Sequence, residues 1–310
     1  MNKDSKILIL GASGLVGSTI LEELENSNHT NILTPTHKTL DLLNQSDVYN
    51  YFLENKPEYV FFAAAKVGGI HANNTYRADF IFENLGMQQN VIGAAHSNNT
   101  KRLLFLGSSC IYPKNCPQPI KEEYLLTSEL EQTNEPYAIA KIAGLKMCEA
   151  FKKQYNHDFI SVMPTNLYGL NDNFDLENSH VIPGLIARMS KAIKDGETSF
   201  QAWGTGRPRR EFLFVNDMAK ACIHIMTYQK PLPELLNIGT GEDISIKELV
   251  FLIAKHLDFK GEISFDSKKP DGTMQKLLDV SRMHSLGWKH STSLESGIKK
   301  VCNHYRKKFL

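Results

Sequence analysis

The strongest constraint on this chain is a run of spaced glycines set between an apolar segment and an amphipathic one. Residues 6–10 read as a buried first strand, and Gly11-Ala12-Ser13-Gly14-Leu15-Val16-Gly17 follows directly. Beyond it Leu15, Val16, Ile20, Leu21 and Leu24 recur at helical spacing, which leaves Glu22, Glu23 and Glu25 toward water. Strand, tight turn and helix in this order open a βαβ unit. Bare glycine backbones permit the turn and the close approach of a pyrophosphate, which the helix N–H groups would face. Three glycines alone would read as a structural turn; the flanking strand and helix are the context that a dinucleotide site requires.

The alternation continues through the first half. Strands are expected at 31–34, 59–64, 102–106 and 159–163, with helices over 46–55, 80–96 and 137–155 between them. Right-handed crossovers make this an α/β fold, a Rossmann-type doubly wound parallel sheet. Past Pro164 the rhythm breaks over loop-like residues to 183. Helices then follow at 185–194, 217–227, 246–257 and 294–305, and strands at 211–215, 235–238 and 262–265. The expected division is a dinucleotide-binding domain over 1–168, with return segments near 211–240, and a smaller carboxyl-terminal α/β substrate domain over 169–310.

Composition removes several classes of function. A chain of 310 residues, 42% hydrophobic, can bury a large core, which excludes disorder. Its 35 basic and 34 acidic side chains leave a net charge of +1, so no global field steers it to nucleic acid or a membrane. The five cysteines are odd in number and lack any CxxC pair, which argues against a disulfide framework and a thiolate zinc site. No charged-then-apolar leader precedes Lys6, and no apolar run approaches the roughly 18 residues that span a bilayer. A soluble cytoplasmic protein without a metal is expected.

NAD-selecting folds place an acid about 20 positions after the glycines to hold the ribose 2′-hydroxyl. Here the residues after the second strand are Thr34 to Lys38, and no carboxylate appears until Asp41. A 2′-phosphate is therefore tolerated, which favours NADP(H). His37 or Lys38 would meet that phosphate, or both are solvated loop residues.

Tyr137 and Lys141 stand four apart, hence on one helix face. A phenol with a reference pKa of about 10 is a poor proton donor or acceptor near neutrality unless a cation stabilises its phenolate, which Lys141 can do. Tyr137 can then exchange a proton with a carbonyl or hydroxyl oxygen. Gly107, Ser108, Ser109 and Cys110 follow the fourth strand, at the strand end where ligands sit in such sheets. One of the two serines could bind the same oxygen as Tyr137; the alternative is that both cap the loop.

Glycine loop, serine tip and YxxxK together resemble the extended short-chain dehydrogenase/reductases. Longer stretches resemble one family within them, the GDP-L-fucose synthases: AAAKVGGI at 63–70, FLGSSCIYP at 105–113, NEPYAIAK at 134–141, MPTNLYG at 163–169, NSHVIP at 178–183 and PDGT at 270–273. The resemblance covers essentially the whole chain. It implies conversion of GDP-4-keto-6-deoxy-D-mannose to GDP-L-fucose by epimerisation at sugar positions 3 and 5, followed by NADPH-dependent reduction of the 4-ketone. It also implies a homodimer.

The resemblance assigns Ser108, Cys110, Tyr137, Lys141 and His180 to catalysis, with Cys110 as the epimerisation base and His180 as its acid. Taken alone, Cys110 would read as an inert small hydrophobe and His180 as a surface or capping residue. Cofactor contacts are implied for Gly11 to Gly17 and for His37, Lys38, Leu106, Gly107, Lys141, Pro164, Thr165, Asn166, Leu167 and His180. Arg188, Trp203, Arg210 and Asp279 are implied substrate contacts. Their types suit a diphosphate-linked nucleoside, since Arg binds phosphate bidentately and Trp covers a base or sugar face; Trp203 could instead be core packing. The alternative enzyme is an NAD-dependent nucleotide-sugar 4-epimerase or 4,6-dehydratase, against which Cys110 and His180 speak. A redox-sensing protein that kept only the scaffold is disfavoured by the intact Tyr137 and Lys141.

Overall fold

The computed structural model describes residues 1–176, 179–269 and 271–309, with backbone alone at 70 and 71. Asn178 and Pro270, which belong to two of the motifs above, lie outside the described residues. The chain opens with β1 (Ile7–Leu10), α1 (Leu15–Asn26), β2 (Ile32–Leu33), α2 (Gln45–Asn55) and β3 (Tyr59–Phe62). Next come α3 (Ile70–Thr75), α4 (Arg77–Ser97), β4 (Arg102–Leu106), α5 (Glu135–Tyr155) and β5 (Phe159–Pro164). The expected tyrosine helix starts two residues earlier than its apolar pattern, because Pro136 occupies the first turn, where a missing N–H costs no hydrogen bond.

These strands are buried on both faces, and so they read as unbroken apolar runs. Leu8, Leu10, Val60, Phe62, Leu103 and Phe105 point to the side covered by α4 and α5, where Val91, Ile92 and Leu145 pack. Ile7, Ile9, Phe61, Leu104 and Val162 point to the other side, against Ile20 and Leu24 of α1. Each such side chain removed from water contributes roughly 1.5–3 kcal/mol.

The second half contains β6 (Asn166–Tyr168), α6 (Val181–Lys194), β7 (Ser199–Trp203), β8 (Arg209–Phe214), α7 (Val215–Thr227) and β9 (Leu235–Ile238). It closes with β10 (Asp243–Ser245), α8 (Ile246–Leu257), β11 (Glu262–Asp266), β12 (Gln275–Lys276), α9 (Ser281–Ser285) and α10 (Leu294–Phe309). The main sheet is parallel in the order β2-β1-β3-β4-β5-β9. Its order reverses between β1 and β3, the crevice where such sheets bind ligands. Within 211–240 only α7 and β9 return to this sheet. β8 instead pairs with β6, β10 and β12, while β7 pairs with β11 in a separate ribbon. A second core, built on Ile186, Met189, Phe200, Phe212, Leu249, Ile253 and Ile298, holds these pieces together.

Candidate active site

The glycine turn is closed by the backbone itself. Gly11 has φ +89° and its carbonyl accepts the N–H of Gly14 at 3.0 Å. A Cβ on Gly17 would stand 2.1 Å from the Gly11 oxygen, so α1 meets the turn at a distance no other residue permits. Gly14 caps α1 without any side-chain bond, and no acid occupies the first helical turn. Ala12, Ser13, Leu15 and Val16 complete this cradle. Its free N–H groups and positive helix end suit a pyrophosphate.

Beside it, β2 lies next to β1, so the segment after Leu33 emerges at the same edge. His37 and Lys38 are both exposed there, and the His37 ring is 3.8 Å from the Asp41 carboxylate. On the other side, the Thr165 hydroxyl and the Asn166 amide donate to the Glu211 carbonyl, which ties the exit of β5 to β8. Pro164 ends β5, Leu167 lies in β6, and a Cβ on Gly169 would come within 3.4 Å of Leu15. The strip 164–169 thus runs past the start of α1.

At the tip of β4 the two serines part company. Ser109 is buried, whereas Ser108 is half-exposed and caps the turn Ser109–Ile111 by accepting the Cys110 N–H at 3.3 Å. A Cβ on Gly107 would overlap the Met163 side chain, which keeps this tip close against β5. Lys141 is only 2% exposed, and its amine donates to the Leu106 carbonyl at 2.7 Å. That amine stands 4.9 Å from the Phe105 ring centre and 5.8 Å from that of Tyr137. Burial lowers its pKa to about 8, with Cys110 pulling the other way. Burial pushes the Tyr137 hydroxyl above the ordinary tyrosine range and Cys110 adds to this, while a hydrogen bond with Ser108 opposes them. Phe80 fixes the Tyr137 ring edge-to-face at 6.1 Å. Ser108, Cys110, Tyr137 and Lys141 therefore converge on one point.

His180 is exposed at the N-cap of α6. Asp172 faces it; burial raises that carboxyl to about 6, against an opposing bond from the Asn173 N–H and the His180 charge. On α6 the Arg188 guanidinium lies 4.5 Å from the ring centre of Trp203, which is 53% exposed and so no core residue. A cleft of about 350 Å³ opens beside this pair, bordered by Phe200 and Glu197. Arg209 is taken up by Asp243 at 2.6 Å, whereas the Arg210 guanidinium has Asp271 as its charge partner.

Asp279 follows three residues after Lys276, the residue opposite Arg210. Its carboxylate accepts the Ser281 N–H at 2.9 Å and faces Lys121 and Arg282. Asp271, within the PDGT motif, is the acid beside Arg210, and its carboxylate also binds Thr205. Sequence reasoning also missed Asp172, Lys269, whose amine lies 5.6 Å from the Trp203 ring centre, and Lys276, which pairs with Arg210 across the ladder. Only Asp271 had a signal, in that motif.

This geometry is that of a nucleotide-dependent carbonyl enzyme, and comparison with known proteins decides its lineage. Residues 7–239 match the NAD dependent epimerase/dehydratase family. The chain belongs to that family. Within it, GDP-L-fucose synthase 1 of Arabidopsis thaliana is 52% identical over 99% of this chain and 94% of its own. GDP-L-fucose synthase of Escherichia coli (strain K12) is 50% identical over 94% of each. Among solved structures, a GDP-mannoheptose C4 reductase from Campylobacter jejuni with NADP bound superposes with a TM-score of 0.92 at 38% identity, covering 99% of both chains. These epimerase/dehydratase relatives span the full length of the chain.

Proposed function

We propose that this chain is a GDP-L-fucose synthase. It converts GDP-4-keto-6-deoxy-D-mannose to GDP-L-fucose by 3,5-epimerisation and then NADPH-dependent reduction of the 4-ketone. The observation that carries this reading is the meeting of Ser108, Cys110, Tyr137 and Lys141 at the tip of β4. A proton beside a ketone is acidic only when the enolate oxygen is stabilised, and Ser108 and Tyr137 can both donate to that oxygen. Cys110 removes the proton and His180, from a different element, delivers one to the opposite face. Inversion needs two such groups.

When bound, NADPH supplies the hydride that reduces the ketone carbon. Its pyrophosphate would rest on the glycine turn, its ribose on Lys141 and its 2′-phosphate near His37 and Lys38. Leu106, Gly107, Pro164 to Leu167 and His180 would border its reactive end. Tyr137, held protonated by burial, gives the alkoxide its proton while Lys141 steadies the resulting phenolate.

Arg188, Trp203, Arg210 and Asp279 hold the GDP group, with Asp271 as the acid beside Arg210. This division of labour supports a cofactor domain over 1–168 and a substrate domain over 169–310, with α7 and β9 returning to the first. Exposed Phe82 on α4 and Ile139 on the adjoining α5 support a homodimer built on those helices. Five free thiols support a cytoplasmic location; no helix among the described residues is long and apolar enough to cross a membrane. The test is direct: NADPH should be consumed only with the keto sugar nucleotide, giving GDP-L-fucose. Protein that binds NADPH yet leaves this substrate unchanged sinks the reading.

A further inference from the structure

One lysine at the site has no assigned task. Lys276 is half of the two-residue strand β12, directly opposite Arg210 of β8. Its neighbours pin it on both sides. The Leu277 N–H donates to the Gln118 side chain at 2.8 Å and the Leu277 carbonyl accepts the Ile120 N–H at 2.7 Å. The Leu278 N–H then donates to the Glu211 carboxylate at 2.9 Å. Lys276 is thereby clamped between the substrate-side strand and the segment that follows Cys110.

The charged and titratable groups that face its amine are Cys110, Arg210, Cys116 and Glu131. The amine makes no hydrogen bond or ion pair among the described residues. Those facing the Cys110 sulfur are Lys276, Ser108, Lys141 and Tyr137. Of the two cations beside that sulfur, Lys141 is committed to the Leu106 carbonyl. Lys276 is free to answer a negative charge.

We propose that Lys276 is a positioning residue that acts through Cys110, its ammonium stabilising the thiolate that removes the sugar proton. The idea rests on the reading of Cys110 as base. A thiol does not abstract a proton; a thiolate does. Burial drives the Cys110 sulfur toward the neutral form and Lys276 is the leading opposing charge. In the step itself the C–H proton passes to Sγ, and the C–H electron pair becomes the enolate, its charge on the oxygen facing Ser108 and Tyr137. His180 then gives a proton to the opposite face. Exchange with water restores the Cys110 thiolate and the His180 proton. Burial first, and then Arg210 beside it, disfavours a positive charge on Lys276, and the Cys110 thiolate opposes both.

The experiment titrates the ultraviolet thiolate absorbance, with the Cys110→Ser protein subtracted, in the parent, Lys276→Met and Lys276→Arg proteins. Lys276→Met should raise the midpoint by about one pH unit or more, and Lys276→Arg should hold it near the parent. Solvent deuterium entry into the sugar should fall about tenfold at neutral pH in Lys276→Met and recover as pH rises, the fold-change of one such unit. A purely structural lysine would lower it equally at every pH. An unmoved midpoint in Lys276→Met that still binds NADPH overturns the proposal. If that variant does not fold, the Lys276 amine is followed by NMR in parent and Cys110→Ser proteins: linkage is reciprocal, so its pKa must fall when the sulfur is removed, and an unchanged value overturns the proposal. The absorbance needs no substrate. A midpoint shift without any GDP-L-fucose formation would therefore keep the pair and reject the proposed function.

Discussion

The Lys141 amine on α5 donates to the carbonyl of Leu106, the last residue of β4, at 2.7 Å. A helix and a strand tip are joined by one charged hydrogen bond, one helical turn from the Tyr137 hydroxyl. Because burial sets the Lys141 pKa to about 8, its positive charge is present below that pH and disappears above it. Ketone reduction, followed as NADPH consumption, should fall as pH rises through about 8, and Lys141→Met should be nearly inactive at all pH values. A rate that climbs steadily past that pH would exclude the cation's role.

The proton-transfer roles separate by isotope. In heavy water, Cys110→Ser and His180→Gln should impair deuterium entry at sugar positions 3 and 5. Tyr137→Phe should chiefly suppress reduction and lower exchange less, because Ser108 still donates to the enolate oxygen. Mass spectrometry of recovered nucleotide sugar reads both, and undiminished exchange in the first two variants refutes the acid and base assignment.

Glu211 is fully buried, and its carboxylate accepts the N–H groups of Thr240, Gly241 and Leu278. Glu211→Gln keeps the shape but turns one acceptor into a donor that faces an N–H. A loss of about 2–4 kcal/mol is expected from such an unsatisfied pair, measured by urea denaturation. Deletion to Ala should cost more, since all three N–H groups lose their partner.

The His96 and His157 rings meet at 2.7 Å between nitrogens, with His157 stacked on Phe159. Burial first, then the His96 charge, lowers the His157 pKa. The unfolded chain therefore binds the proton more readily, and stability present above the ordinary histidine pKa of about 6.5 is lost as pH falls below it. The melting temperature should drop between about pH 8 and about pH 5, and drop less in His157→Gln. Equal slopes in the two proteins would remove the pair from the account.

Much of this was legible in the sequence where the signal is local. The glycine turn needs only β1 before it and α1 after it, and the Tyr137 and Lys141 pair needs only one helix. The neighbourhood of Arg210 was not legible. It is assembled by β12, two residues long, which is too short to carry any periodicity and finds its place by pairing with β8 and by bonds to Gln118 and Ile120. Asp271 beside Arg210 and Lys276 opposite it therefore went unseen. By residue type alone Ser108 and Ser109 are equivalent; the resemblance singled out Ser108, and the turn that follows them turns that hydroxyl to the tyrosine. Strand β8 fell within the segments near 211–240 expected to return to the first sheet, whereas it pairs with β6, β10 and β12.

Strand β8 ends at Phe214 and α7 begins at Val215 with no intervening loop. α7 packs along α1, and Asn216 binds Glu23 across that contact. The strand that carries Arg210 is thus a stiff lever whose far arm rests on the helix behind the glycine turn. There is no slack at that joint. A hinge between the Arg210 strand and the helix behind the glycine turn must therefore be sought in the other crossings of the chain.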